Sequence, residues 1–196
     1  MPKRDLFLAL AAAFLVGLFA IPTLLNTGAY SKIPLPLLQL FLGLPILVTF
    51  GMLVAYLIGG KIALLWQVAK FSLVGVLNTA IDFGILNFLS AIFSVTKGFG
   101  IVPVNAASVA IAVVNSFYWN KEWVFATKRE VNFVTFTAVT LIGLSINTGI
   151  VYFLTTFVSP ILMTSEALWA NLAKVLATSL SLVWNFLGYK LIVFRR

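Results

Sequence analysis

Stretches of about twenty apolar residues recur six times along this chain, and few folds accommodate that pattern. They run near Leu6–Leu25, Leu37–Ile58, Phe71–Phe93, Ile101–Trp119, Phe133–Val158 and Trp169–Gly188. At about 1.5 Å per residue, each is long enough to cross a hydrocarbon core of roughly 30 Å. Charged residues are only 9% of the 196, against roughly 25% in soluble domains. Too little polar surface remains to clothe a core in water. Inside a bilayer the backbone must satisfy its own hydrogen bonds, so only helices or closed barrels span. Long unbroken runs, rather than short alternating ones, select helices. The expected fold is all-α, a polytopic membrane helix bundle of six transmembrane helices.

The basic residues gather on one side of these spans. With the N-terminus inside, Lys3, Arg4, Lys61, Lys70, Lys121, Lys128, Arg129, Lys190, Arg195 and Arg196 fall on the inner side. Lys32 and Lys97 fall in outer loops, and Lys174 lies within the last span. A split of ten to two among thirteen basic residues predicts both termini in the cytoplasm, in a cell membrane. The same distribution explains the net charge of +8 without nucleic acid. The first span follows Met1-Pro-Lys3-Arg4 in the manner of a signal peptide. Its apolar run is long and its cleavage pattern poor, so it reads as a retained span.

Residues 59–70, with Gly59-Gly60-Lys61 and Trp66, read as a hinge and an interfacial turn. They divide an N-terminal pair of spans, residues 1–65, from a four-span unit, residues 66–196. Pro45 is expected to kink the second helix. The chain has no cysteine and no histidine, which removes disulfides, thiolate nucleophiles, imidazole bases and the usual zinc ligands. No cofactor is implied. With no nucleophile-base pair or metal cluster, hydrolytic or transfer catalysis is not expected.

One phrase is written twice. Phe117-Tyr-Trp-Asn120-Lys121-Glu-Trp123-Val124-Phe125 returns 69 residues later as Phe186-Leu-Gly-Tyr189-Lys190-Leu-Ile192-Val193-Phe194. Laid over 140–194 without gaps, residues 71–125 give 11 identities in 55 positions, Asn78-Thr79 over Asn147-Thr148 among them. Each copy holds two spans, an even number, so both enter the membrane from the same side. The duplication is parallel, with its pseudo-two-fold axis along the membrane normal.

The opening Phe71-Ser-Leu-Val74-Gly75-Val-Leu-Asn78-Thr79-Ala-Ile-Asp82 and the two closing blocks, in this order, resemble the GtrA-like family. That family shares its transmembrane domain with some dolichyl-phosphate mannose synthases, and the resemblance covers about residues 66–196. It implies a small membrane protein of polysaccharide or cell-envelope synthesis, one that moves polyprenyl-phosphate-linked sugars across the membrane or holds glycosyltransferases there. The chain departs from the four-span plan by adding residues 1–65. Tyr189 and Ile192 stand where the first repeat has Asn120 and Trp123, so the two basic blocks are not equivalent.

Several residues are candidates for contact with substrate. Asp82 is the acid deep inside a span, where a carboxylate costs on the order of 3 kcal/mol. By helix rise it lies about 18 Å past Lys70, and Lys174 about 8 Å past Trp169 from the other side. The two could pair. Alternatively Lys174 snorkels outward and Asp82 bonds Asn105 or Asn78. Asn78, Asn147 and Asn185 belong to an amide-rich set that either ties helices together or lines a path for a sugar. Lys121 and Lys190, with Asn120, end corresponding spans at the depth of a lipid phosphate. An ammonium there is a point-charge partner for phosphate or a topology anchor among anionic membrane lipids.

Three functions follow as expectations. The first is translocation of polyprenyl-phosphate-linked sugar. The second is an anchor whose basic face docks a glycosyltransferase. The third is a proton-coupled exporter of small solutes that uses Asp82. A second copy of the chain is a further possible partner.

Overall fold

The structure, a computed structural model, describes residues 1–26, 29–33, 36–59, 62–95, 100–159 and 166–195. Among them six α-helices form: α1 (Lys3–Asn26), α2 (Leu37–Gly59), α3 (Ala63–Phe93), α4 (Ile101–Trp119), α5 (Phe133–Phe157) and α6 (Glu166–Gly188). The protein is an all-α membrane helix bundle. Four segments have both the length and the mean hydropathy to span: Lys3–Asn26, Leu37–Gly59, Ala63–Phe93 and Leu176–Val193. Large apolar side chains such as Leu57, Ile46 and Phe93 are exposed on these helices, as lipid-facing residues must be.

α3 begins eight residues before the predicted Phe71, so Trp66 to Lys70 are helical and not an interfacial turn. α2 ends at Gly59 and Ile62 is extended; Gly60 and Lys61 of the expected hinge lie outside the described residues. The polar residues Trp66, Gln67 and Lys70 find partners described below, and the helix therefore runs through them. The other described helix limits fall within three residues of expectation.

The chain packs as two compact units, Met1–Ala126 and Thr127–Arg196. In the first, α1 lies along α3 as well as α2. Small residues make this approach possible. Ala9, Ala12, Ala13, Val16 and Gly17 are buried on one side of α1, spaced to form a shallow groove. On α3, Gly84 faces the Phe19 backbone so closely that a Cβ would collide with it. Phe14 and Gly17 meet Phe41 of α2. Pro45 sits inside α2 and is buried.

The second unit is the hairpin of α5 and α6. Asn132 caps α5 by accepting from the backbone N–H groups of Val134 and Thr135, at 2.8 and 3.3 Å. That satisfies two of the donors a helix start leaves open. Gly188 packs against Val139, and Gly143 against the Asn185 amide, so the two helices close tightly.

Candidate functional site

Both copies of the doubled phrase end in a π turn. Asn120–Val124 follows α4 and Tyr189–Val193 follows α6, again 69 residues apart. The wider loop is closed by Phe125 N–H to the Asn120 carbonyl, 2.9 Å, and by Phe194 N–H to the Tyr189 carbonyl, 2.7 Å. The sequence gives a reason. Phe117 and Phe125 are both buried, as are Phe186 and Phe194. Eight α-helical steps of about 100° leave the second ring about 80° from the first. A π turn rotates less per residue and swings it back. Single π turns inside α-helices recur at functional sites.

In the first unit, polar side chains hold this turn. The carbonyls of Glu122, Trp123 and Val124, left open by the helix end, accept from Arg4, from Lys70 Nζ at 3.2 Å and from Gln67 Nε2 at 3.2 Å. Asp5, only 9% exposed, accepts one indole N–H on each carboxylate oxygen. Trp123 donates to Oδ1 at 2.9 Å and Trp66 to Oδ2 at 3.0 Å. Lys70 lies 5.8 Å over the Trp66 ring. Asn120 is buried and donates through Nδ2 to the Ser116 carbonyl, 2.8 Å, and Oγ, 3.2 Å. It braces the turn from within. Lys121 is half-buried and sits 3.7 Å from the Glu122 carboxylate.

In the second unit aromatic residues replace two of these polar groups, Phe136 for Gln67 and Tyr189 for Asn120. By the 69-residue offset, Gln67 corresponds to Phe136 and Lys70 to Val139. Phe136 stacks on Tyr189 at 4.4 Å, and Phe194 meets both rings edge-on. The Tyr189 hydroxyl bonds Thr140 at 2.6 Å. Lys190 lies 5.6 Å over the Phe186 ring. Arg129 donates to the Arg195 carbonyl at 3.4 Å, and Lys128, Arg129 and Arg195 are exposed.

The amides and the acid lie deeper. Asp82 takes its hydrogen bond from Ser108 Oγ at 2.7 Å, rather than from Asn105 or Asn78 as one reading expected. Ser108, fully buried, also reaches the Asn105 carbonyl. Asn78 is occupied by Asn115 Nδ2 at 2.7 Å. Asn147 donates to Thr178 at 3.3 Å, and Asn185 has a buried Oδ1 with no partner among the described residues. The side chains of Lys174 and Thr148 lie outside the described residues. Polar chemistry concentrates in the first repeat: Asp82, Ser108 and Asn115 correspond to Val151, Ala177 and Trp184 in the second.

Sequence alone singles out neither Asp5 nor Gln67, uses Arg4 and Lys70 only for topology and depth, and puts Trp66 in an interfacial turn. Their signal was an acid in the first turn of an apolar helix and a Trp-Gln pair three residues before a lysine. Nothing in their spacing shows that they converge on residues 122–124.

Fold and site together define a small polytopic membrane protein whose last four helices form two related hairpins, each closed by an aromatic and basic π turn. A family model described as "GtrA/DPMS, transmembrane domain" matches residues 70–194, and the chain belongs to that family. It is 30% identical over 125 residues to the uncharacterized membrane protein YngA of Bacillus subtilis (strain 168), covering 64% of this chain and 77% of that protein. No solved structure matches it. α1 and α2 lie outside the family match.

Proposed function

We propose that this protein translocates polyprenyl-phosphate-linked sugars between the leaflets of the cell membrane, with its basic end and both termini in the cytoplasm. One observation carries the reading. Two π turns in equivalent register each present a lysine, Lys121 and Lys190, one residue after a buried anchor, Asn120 or Tyr189. A lysine at the membrane surface is a point-charge partner for a lipid phosphate. Asp82, Asn78, Asn147, Asn185 and Lys174 supply polar groups within the helices for passage of the headgroup, with the prenyl tail left in lipid. Movement follows the substrate gradient or consumption on the far side.

The test is reconstitution into liposomes containing a polyprenyl-phosphate sugar, followed by a membrane-impermeant reagent that modifies only outward-facing sugar. Protein-containing vesicles should expose the inner pool at least about tenfold faster than empty ones; equal rates sink the proposal. A second reading has its own support in the exposed cluster Lys128, Arg129 and Arg195, which suits docking of a separate glycosyltransferase. Neutralising Lys128 and Arg129 would then release the enzyme and leave translocation intact.

A further inference from the structure

Within the first unit, Arg4, Leu8, Tyr118, Trp119, Glu122 and Trp123 line a pocket of about 230 Å³ at the end that carries the π turn. We propose that it binds the sugar of a lipid-linked sugar phosphate, one ring at a time. The inference rests on the translocation reading and adds to it a saccharide site with named contacts. Lysine capture of phosphate needs only charge, and it cannot tell one lipid phosphate from another. This pocket has the chemistry to do so.

Four observations carry the assignment. First, three of the six lining residues are aromatic. Tyr118 is 57% exposed, and the Trp119 ring meets Trp123 edge-on at 5.6 Å. The Trp123 N–H is taken by Asp5; the Trp119 indole, apolar on its face and polar at its N–H, suits a ring with C–H groups on its faces and hydroxyls around its edge. Second, acceptor and donor stand on opposite sides of the charge scale. The Glu122 carboxylate accepts from hydroxyls, and Arg4 carries five N–H donors. Among the described residues Arg4 donates one bond, to the Glu122 carbonyl. The remaining donors suit the phosphate that follows the sugar. Third, the volume lies below the roughly 300–1,000 Å³ of pockets that enclose drug-sized ligands, which favours a single ring over an oligosaccharide.

The fourth observation is the broken symmetry. At the 69-residue offset Tyr118, Trp119, Glu122 and Trp123 become Leu187, Gly188, Leu191 and Ile192. All four polar or aromatic lining residues of the family-matched segment become apolar together. Gly188, in place of Trp119, is used to pack against Val139. Interfacial anchoring alone gives no reason to retain the set on one repeat and lose it whole on the other. Arg4 comes from α1, outside the family match, so the added helix supplies one wall.

The experiment uses the full chain in lipid nanodiscs. Three probes are titrated: a short-chain prenyl phosphate bearing one hexose, the same prenyl phosphate without sugar, and the free hexose phosphate. The sugar-bearing lipid should bind at least about tenfold more tightly than the bare lipid phosphate, a difference of about 1.4 kcal/mol. The free hexose phosphate separates headgroup recognition from dependence on the lipid. Trp119→Ala and Glu122→Gln should each reduce that preference to less than about twofold, and Trp119→Phe should keep part of it. Thermal unfolding of each variant shows that the fold is retained. Equal binding of the two lipids by the wild type overturns the proposal, as does an unaltered preference in folded Trp119→Ala. Translocation without sugar preference removes this site and leaves the transport reading standing. Sugar preference without translocation removes transport and keeps the site.

Discussion

Replacing Asp5 with alanine removes the acceptor for two indole N–H groups at once. A hydrogen bond to a charged group contributes about 1.5–3 kcal/mol, and a buried donor left unpaired costs about 1–3 kcal/mol. The two indoles differ in what happens next. Trp123 is 2% exposed and cannot turn to water, whereas Trp66 is half-buried and can be partly resolvated. The loss also removes an acid from the first turn of α1, about 0.3–1 kcal/mol of helix-dipole stabilisation. Together these effects place Asp5→Ala about 2–4 kcal/mol below wild type, nearer the lower bonds than their sum because Trp66 recovers. For a chain of this size each kcal/mol shifts the unfolding midpoint by roughly 2–4 °C. The expected fall is about 5–15 °C, read by thermal unfolding of purified protein in a mild detergent. Asp5→Asn keeps one acceptor and should fall between. In a double-mutant cycle with Trp123→Phe the two changes should couple by about 1–3 kcal/mol. A midpoint within about 1 °C of wild type, or strict additivity with Trp123→Phe, would refute the account of Asp5 as the clamp on the first π turn.

The second π turn responds to different changes. Tyr189→Phe should cost about 0.5–1.5 kcal/mol through the lost Thr140 bond, and Tyr189→Ala about 3–5 kcal/mol through the lost stack on Phe136, both seen in the same unfolding assay. Gly84→Ala should lose about 1–3 kcal/mol by overpacking against the Phe19 backbone, whereas Gly149, which has open space around it, should tolerate alanine with no loss. The chain has no cysteine, so single cysteines report topology without background. Lys128→Cys should react with an impermeant maleimide only after the membrane is opened, and Lys32→Cys should react in intact cells; the reverse pattern would invert the orientation.

Apolar run length and the doubled phrase made the helices and their duplication legible, because both depend on local pattern. α4 and α6 end at the residues expected because the aromatic and basic blocks begin there. The start of α3 was misjudged for a physical reason: Trp66, Gln67 and Lys70 look like surface residues until their partners, Asp5 and the carbonyls of residues 123 and 124, are in place. Those partners lie more than fifty residues away, and no periodicity reports them. The replacement of Asn120 by Tyr189 was visible as broken symmetry. Its consequence, a polar brace in one unit and an aromatic stack in the other, required the neighbours Ser116, Phe136 and Thr140.

The central claim is that lysines on matched π turns capture a lipid phosphate for translocation. Its most direct test is the initial rate of headgroup translocation in proteoliposomes for wild type, Lys121→Gln, Lys190→Gln and the double variant, each at equal protein content. Each single variant should slow translocation several-fold at limiting substrate, and the double variant should approach the rate of empty vesicles. A double variant that translocates as fast as wild type would contradict the claim.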